Sequence, residues 1–349
     1  RSHTYAGNIL HAQLKNDESV HQAKNKLNGS FYSVKPIGTQ KGGLNPMVAV
    51  KILMSVILPT AMFGCELWNN LSCENIYSLD VAYRQIAKII QGYEHNVSSD
   101  VVLYTLGLLP ISCYINNAKL LFFDRLCRTF HVMTRRVFLF RLSSFLLKGV
   151  SSQSGFIHEI MMLNLISDYV DSFVKTGKTI HKVLFKKMVK YQVHSQEEQM
   201  WLARINANSN LVMFSNIQIQ IEPSFAWIIG KRNPTHLWQL ANLVYLSTIP
   251  NYKSFQCKKC NILCKDIVAH FLRCSYMLNE RNDFLEHLVD ILPVNDSVKL
   301  LSASEDIFEQ TILGSRVDIF INDDIYDQFI IECATSLYHL DSYFKVIKS

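Results

Sequence analysis

The sequence predicts a mainly α-helical protein: a helical bundle, then a basic helical region, then a small cysteine-rich module with C-terminal helices. Three observations predict it. Apolar residues recur at alternating three- and four-residue steps through much of the chain. Strand-like alternation is confined to one short stretch, Ile217, Ile219 and Ile221 in VMFSNIQIQIEP, read as extended or as a linker. Four of the nine cysteines and a histidine fall within CKKCNILCKDIVAHFLRC, residues 257–274.

The elements follow in order. Asn45-Pro46 is an N-cap with proline at the first helical position. It opens the apolar run Met47 to Cys65, where Lys51 near one end and Pro59 in the middle argue for a buried helix of about three turns rather than a membrane span. Upstream, KPIGTQKGG is a glycine-rich loop. A second helix is expected from Glu74 to Gln91, with Ile76, Leu79, Tyr83, Ile86 and Ile90 as its buried stripe and Gly92 as its stop. Arg84 and Lys88 make a small basic face off that stripe. After Pro110, Ile111, Ile115, Ala118 and Phe122 share a face that Arg125 and Arg128 extend. Pro223 and Asn233-Pro234 mark a boundary, and His236 to Thr248 is helical.

Composition excludes several classes. With 49% hydrophobic and 18% charged residues in 349, the chain is folded rather than disordered. Cys65, Cys73, Cys113, Cys127 and Cys333 occur singly in apolar or helix-like contexts, which suits buried free thiols in a reducing compartment. The net charge of +6 is unevenly spread: residues 119–190 hold 13 Lys and Arg against 4 Asp and Glu, and residues 275–349 hold 5 against 14. Contact with a polyanion is therefore expected in the middle of the chain or at the cysteine cluster.

That cluster carries the chemistry. Cys257 and Cys260 have the spacing a tight turn needs to aim two thiolates at one ion. His270 and Cys274, four apart on a helix, place two more ligands on one face. Four protein ligands close a tetrahedron around Zn²⁺ and leave no position for a reacting water, so the zinc is structural. Cys264 is an alternative ligand, but pairing it with Cys260 leaves His270 without a role. Lys258, Lys259, Lys265 and Arg273 form a basic rim, compatible with phosphate contact or simply with the module's wet surface.

Other signals carry no chemistry. Gly177-Lys178-Thr179 lacks the earlier glycine of a phosphate-binding loop, since Ser172 stands there. Asp323-Asp324 has no hairpin or third carboxylate and reads as a helix start. His3, His11 and His21 lack partners at useful spacing. No nucleophile–base–acid set is found.

Several stretches together resemble the part of non-LTR retrotransposon (LINE-type, jockey-like) reverse transcriptases downstream of the catalytic palm. In order these are GLNPMVAVKILMSVILPTAMFGCELWNNLS, AKIIQGYE, LGLLPISCYINNAKLLFFDRLC, LWQLANLVYLSTIPNYKSFQCKKC, DIVAHFLRC with the following NERNDF, and TILGS. The FGCELW run and the CCHC cluster followed by Arg281 are the specific parts; residues 133–233 match loosely. The resemblance implies four blocks: 1–43 leaving the palm, 44–130 a thumb-like helical bundle, 131–235 a basic helical linker region, and 236–349 a CCHC zinc-knuckle domain.

By that resemblance Arg84, Lys88, Arg125 and Arg128 would contact backbone phosphates. The ligands Cys257, Cys260, His270 and Cys274 would fold a module handling element RNA, an RNA–DNA hybrid or target DNA, with Lys258, Lys259 and Arg273 beside it. The paired catalytic aspartates of the family lie upstream of Arg1. The chain is therefore expected to be a fragment of a longer polyprotein, next to its palm and fingers and inactive as a polymerase alone. It would act inside the cell as a ribonucleoprotein, in nucleus or cytoplasm. The competing expectation is a zinc-stabilised protein-interaction module with no nucleic-acid role.

Overall fold

Helices form where the apolar stripes predict them, and the chain is mainly α. The computed structural model describes residues 2–5, 8–11, 15–94, 97–148, 155–208, 211–228, 234–246, 253–264, 266–315, 320 and 323–348. These residues group into two compact units, each made of three segments. One comprises Arg1–Ser33, Ile52–Ile86 and Leu109–Met200; the other comprises Val34–Lys51, Ala87–Leu108 and Trp201–Ser349. The four successive blocks expected from sequence order do not coincide with these segments. Proline, glycine and charge runs report where helices end, not which helices pack together.

In the first unit, β1 (Ser2–Tyr5) and β2 (Asn8–His11) pair antiparallel, Ser2 opposite His11. Helix α1 (Asp17–Val34) follows, burying Val20, Ala23, Leu27 and Phe31. The main core lies among α6 (Ile111–Cys127), α7 (Val132–Lys148), α8 (Phe156–Met162), α9 (Ser167–Thr176) and α10 (Lys182–Ala207). Phe123 meets Phe138 edge-on at 5.4 Å, and Tyr169 lies 4.6 Å from Phe185. One polar knot is buried with them. Asp124, 4% exposed, accepts from the Tyr169 hydroxyl at 2.7 Å and from Arg128 Nε at 2.7 Å.

In the second unit, Asn45 Oδ1 accepts from Met47 N at 2.8 Å and so caps α2 (Pro46–Ile52), as its sequence predicts. Gln91, 1% exposed, joins three segments: its Nε2 donates to Val102 O at 2.7 Å, while its Oε1 accepts from Thr105 Oγ1 at 2.7 Å and Trp227 Nε1 at 3.0 Å. Gly107 has φ +66°, and a Cβ there would meet Pro223 Cδ at 2.8 Å, so only glycine allows the two strands of chain to approach. Helices α11 (Val212–Ile217), α12 (Phe225–Ile228) and α13 (Pro234–Leu246) precede β3 (Lys253–Cys257) and β4 (Leu263–Cys264). Then come α14 (Ile267–Arg273), α15 (Leu278–Ile291), α16 (Val294–Leu301), α17 (Glu305–Ile312), α18 (Asp323–Leu337) and β5 (Phe344–Lys348). The helix expected from Glu74 is α4 (Cys73–Gln91), assigned to the first unit as far as Ile86, with α5 (Ser99–Val102) after it in the second. It ends where Gly92 turns left-handed at φ +68°.

Some expectations change. The apolar run does not stop at Pro59. The helix continues through one π turn, Leu53–Ile57, in which Leu58 N–H reaches Leu53 O, and proceeds as α3 (Leu58–Ala61). A wider turn one residue before the proline removes the clash and the missing donor that would break an α-helix. No helix among the described residues is long and apolar enough to cross a membrane. The stretch read as extended, VMFSNIQIQIEP, begins as α11; Ile221 is 4% exposed but Ile219 61%, so alternation there reflects one anchored residue in a loop. On α6 the buried face keeps Ile111 and Ile115 but turns toward Leu120, Phe123 and Cys127, leaving Phe122 half-buried against Phe156 at 5.4 Å. Cys65, Cys113, Cys127 and Cys333 are buried free thiols; Cys73, opening α4, is exposed. The C-terminus ends in a strand, not a helix.

The Asp124 knot yields a test. Tyr169→Phe removes one donor from a buried carboxylate and should destabilise the protein by ~1–3 kcal/mol, read as a lower urea midpoint at unchanged m. An unchanged midpoint would mean the carboxylate is satisfied without it.

Candidate metal centre

The strand that carries the first ligand is held on both sides. β3 lies between β4 and β5, antiparallel to each, with Phe255 opposite Cys264 and Val346 and with Cys257 opposite Phe344. At its end the chain reverses. Cys257 N donates to Ile262 O at 3.0 Å, and Asn261 N donates to Cys257 O at 2.8 Å. Asn261 supplies the left-handed residue the reversal needs, at φ +59°, a conformation asparagine tolerates better than branched residues. Ile262 N also donates to Cys260 Sγ at 3.5 Å. The turn therefore points Cys257 and Cys260 the same way and begins to stabilise negative charge on sulfur.

The second pair comes from a short helix fixed at both ends. Asp266 Oδ1 accepts from Val268 N at 2.9 Å and Ala269 N at 3.1 Å, capping α14. At the other end Arg281 Nη1 donates to Leu272 O at 2.7 Å. Ile267, Val268 and Phe271 bury one face, and Phe271 meets Phe284 of α15 at 5.9 Å. His270 and Cys274 then project on the face toward the turn. The His270 ring lies edge-on to Phe344 of β5 at 5.8 Å.

The ligand atoms of Cys257, Cys260, His270 and Cys274 lie within 4.8 Å of one another, and Cys260 Sγ is 3.3 Å from His270 Nε2. A tetrahedral ion with metal–sulfur bonds of about 2.3 Å requires sulfur–sulfur separations of roughly 3.8 Å, so these atoms are grouped on the scale of one coordination sphere. Cys257 and Cys274 are buried, Cys260 and His270 half-buried. Burial pushes the Cys257 thiol up, yet the amides of Cys260 and Lys259 outweigh it and leave its pKa below the ordinary thiol value. Burial raises Cys274 and lowers His270, favouring the neutral imidazole that binds metals. The four residues can hold a metal ion, and with all four engaged the site offers no open position.

Cys264 is outside the group. Its Sγ donates to Phe255 O at 3.3 Å, and burial first, then the charge of Cys257, pushes its thiol to about 11. The choice between Cys264 and His270 is thus decided by β3–β4 pairing, which turns Cys264 back onto the sheet.

The rim is less free than its composition suggested. Lys259 pairs with Glu280 and sits 5.2 Å from the Tyr343 ring; Arg273 pairs with Glu305 at 2.9 Å; Lys258 Nζ donates to Ser342 O at 2.5 Å. Lys265 lies outside the described residues. Elsewhere, Arg84 pairs with Asp80 at 2.7 Å, Arg128 with Asp124, and Arg125 is exposed with its guanidinium 5.6 Å from the Phe122 ring. Lys88 is half-buried near the end of α4. The acids Glu280 and Glu305 are far from the rim in sequence, so their pairing was not visible there. Phe344 and Tyr343 could have been noticed as the short β-branched and aromatic run FKVIK and its neighbour. Gly177 at φ +65° caps α9 through its N–H to Phe173 O at 2.7 Å, and Asp323 opens α18. His21 lies 3.1 Å from Asn25, and the side chains of His3 and His11 lie outside the described residues.

One buried acid bears on the capping of α14. Glu309 of α17 is 5% exposed, lies close enough to Asp266 to feel its charge, and has an Oε1 without a hydrogen-bond partner among the described residues. Burial, followed by the Asp266 charge, pushes its carboxyl from 4.5 to about 8, so it holds a proton at neutral pH. A raised folded pKa means stability that is full at acid pH and lost as pH rises through about 8.

Two outcomes are expected. Purified protein should carry one metal ion per chain; Cys274→Ser should abolish it with loss of folded module, while Cys264→Ser should retain it, as read by elemental analysis and circular dichroism. Glu309→Gln carries no titrating proton there, so its stability relative to wild type should rise as pH goes from about 4.5 to about 8 and then stay level. Parallel stability profiles for the two proteins would refute the proton held on Glu309. Comparison of the chain with family models, with curated proteins and with solved structures returns no match.

Proposed function

We propose that the chain is the C-terminal portion of a non-LTR retrotransposon reverse transcriptase, contributing nucleic-acid binding and no catalytic residue. The observation that carries this reading is the convergence of Cys257, Cys260, His270 and Cys274, the four ligands the resemblance requires, in one group. Three thiolates and an imidazole in a closed set suit Zn²⁺, which would be structural there. The zinc would fix the turn and α14 and thereby present Lys258, Lys259 and Arg273.

The pairing of these cations does not remove them from use. Side chains in the Lys259–Glu280 pair are 35% and 27% exposed, and those in the Arg273–Glu305 pair 55% and 75%. Exposed pairs of this kind are worth about 0–1 kcal/mol, so a phosphate diester can compete for the cation. Further positive charge is available in the other unit. Arg136 and Arg141 on α7 and Lys182, Lys186, Lys187 and Lys190 on α10 are exposed and have no carboxylate partner among the described residues. Lys182, Lys186 and Lys190 are four apart and form one stripe, a form suited to backbone phosphates without base reading.

A second reading rests on apolar exposure: Met133, Val137 and Phe140 on α7 are 62%, 58% and 71% exposed, a surface suited to a protein partner. Salt dependence separates the two. A labelled single-stranded RNA should bind with an affinity that falls steeply with salt. Replacing Lys258, Lys259 and Arg273 by alanine should weaken it ~10-fold at low salt and flatten the log–log slope by ~2. Binding that is salt-independent, or unchanged in this variant, would remove the role given to the module and favour the protein-interaction reading.

A further inference from the structure

Within the first unit, a cleft of about 350 Å³ opens between the turn at Asn70-Leu71, the start of α4, and helices α6 and α8. This is within the size range of small-molecule sites. Its walls are apolar and come from each element: Leu71, Ile76 on α4, Ile115 on α6, and Met162 with Leu163 after α8. Its polar groups are of two kinds. Lys119, 5% exposed, forms an ion pair with Glu159, whose other oxygen accepts from Asn70 N–H, with Asn70 held left-handed at φ +54°. Ser112 and Asn116, four apart on α6, and His158 on α8 also line the cleft, and the Ser112 and Asn116 side chains have no hydrogen-bond partner among the described residues.

The charge balance narrows the ligand. Lys119 is paired with Glu159, so its ammonium is not free for a phosphate or a carboxylate. Glu159 is neutralised in turn by Lys119 and Asn70, so a metal or an organic cation gains little. Unused capacity lies in the Asn116 amide, which both donates and accepts, and the Ser112 hydroxyl, set among apolar side chains. A buried ion pair lining an open cleft adds little to stability over an apolar pair of similar size. It does place fixed dipoles beside any ligand edge that reaches it.

We propose that this cleft binds a nucleobase: a neutral, planar heterocycle with hydrogen-bond donors and acceptors along one edge and apolar faces. The apolar walls take the faces; Asn116 and Ser112 take the edge, with the Lys119–Glu159 pair lining the same cleft. The base arrives either as a free nucleoside or as one unit of a single strand. The site uses none of the metal module's residues, and free nucleosides test it whether or not the chain binds strands.

The experiment titrates adenosine, guanosine, cytidine and uridine into the full chain by calorimetry, and into Asn116→Leu and Ser112→Ala. At least one nucleoside should bind saturably, ~10-fold or more weakly to Asn116→Leu and to a lesser degree weakly to Ser112→Ala. Circular dichroism and thermal unfolding check that both variants fold, and Ser112→Ala carries the test if Asn116→Leu does not. A second arm uses a single-stranded oligonucleotide and the same strand with one abasic position. If the site takes strand-borne bases, the abasic change weakens binding to wild type and not to the folded variant. No saturable nucleoside binding together with no abasic effect overturns the proposal, as does equal binding by wild type and both variants.

Discussion

Four side chains from a turn and a helix end that could hold one metal ion lie within 4.8 Å of one another, and the architecture of the C-terminal module serves that grouping. A turn can aim Cys257 and Cys260 only if its strand is immobile, so β3 is paired on both edges. A helix of two turns can aim His270 and Cys274 only if neither end frays, so Asp266 caps one end and Arg281 the other. β5, from the last residues described, is part of the same device: it pairs with β3 and places Phe344 against the His270 ring. Residues nearly ninety positions apart are thus committed to one site. The ion–ligand bonds would then be the strongest interactions in a module whose helices are short and whose sheet has three strands.

The electrostatics of the module show a second constraint. Beside the cysteine cluster, Lys259 and Arg273 are met by Glu280 and Glu305 at the surface. Such pairs are weak and exposed, so they neutralise the rim without locking it. The buried acids are different. Glu309 sits against the acid that caps the ligand helix, and holding a proton lets two carboxyls share a site that would not tolerate two charges. In the other unit, buried Asp124 has a guanidinium on one oxygen and a hydroxyl on the other. The same chemical group is buried with partners in one unit and beside a like charge in the other.

Much of the helical content was legible because helix periodicity is local. The stripe of α4 gives its length, its face and its glycine stop, and Asn45-Pro46 gives the start of α2; each depends on residues within a few positions. What failed was non-local or depended on a neighbour. From sequence, Pro59 argues for a break, because the π turn that absorbs it leaves no residue signature. Ile219 looked like part of a strand because alternation says nothing about whether a partner strand exists. The buried face of α6 turned toward Phe123 because α7, α8 and α9 cover it, which no periodicity on α6 can reveal. β5 was missed because five residues at a chain end form a strand only when another strand is waiting.

The amino-acid sequence by itself determined the helical class, the ends of a few helices such as α4, and four candidate ligands, since ligand spacing is a local property of a turn and of a helix face. Only the tertiary structure decided that Cys264 is turned away, that Lys259 and Arg273 have acidic partners, and that Ser112, Asn116, Lys119 and Glu159 face one cleft. The reason is the same in each case. Hydrogen-bond partners, ion pairs and cavity walls are set by which distant segments pack side by side, and a chain's order does not encode that distance directly.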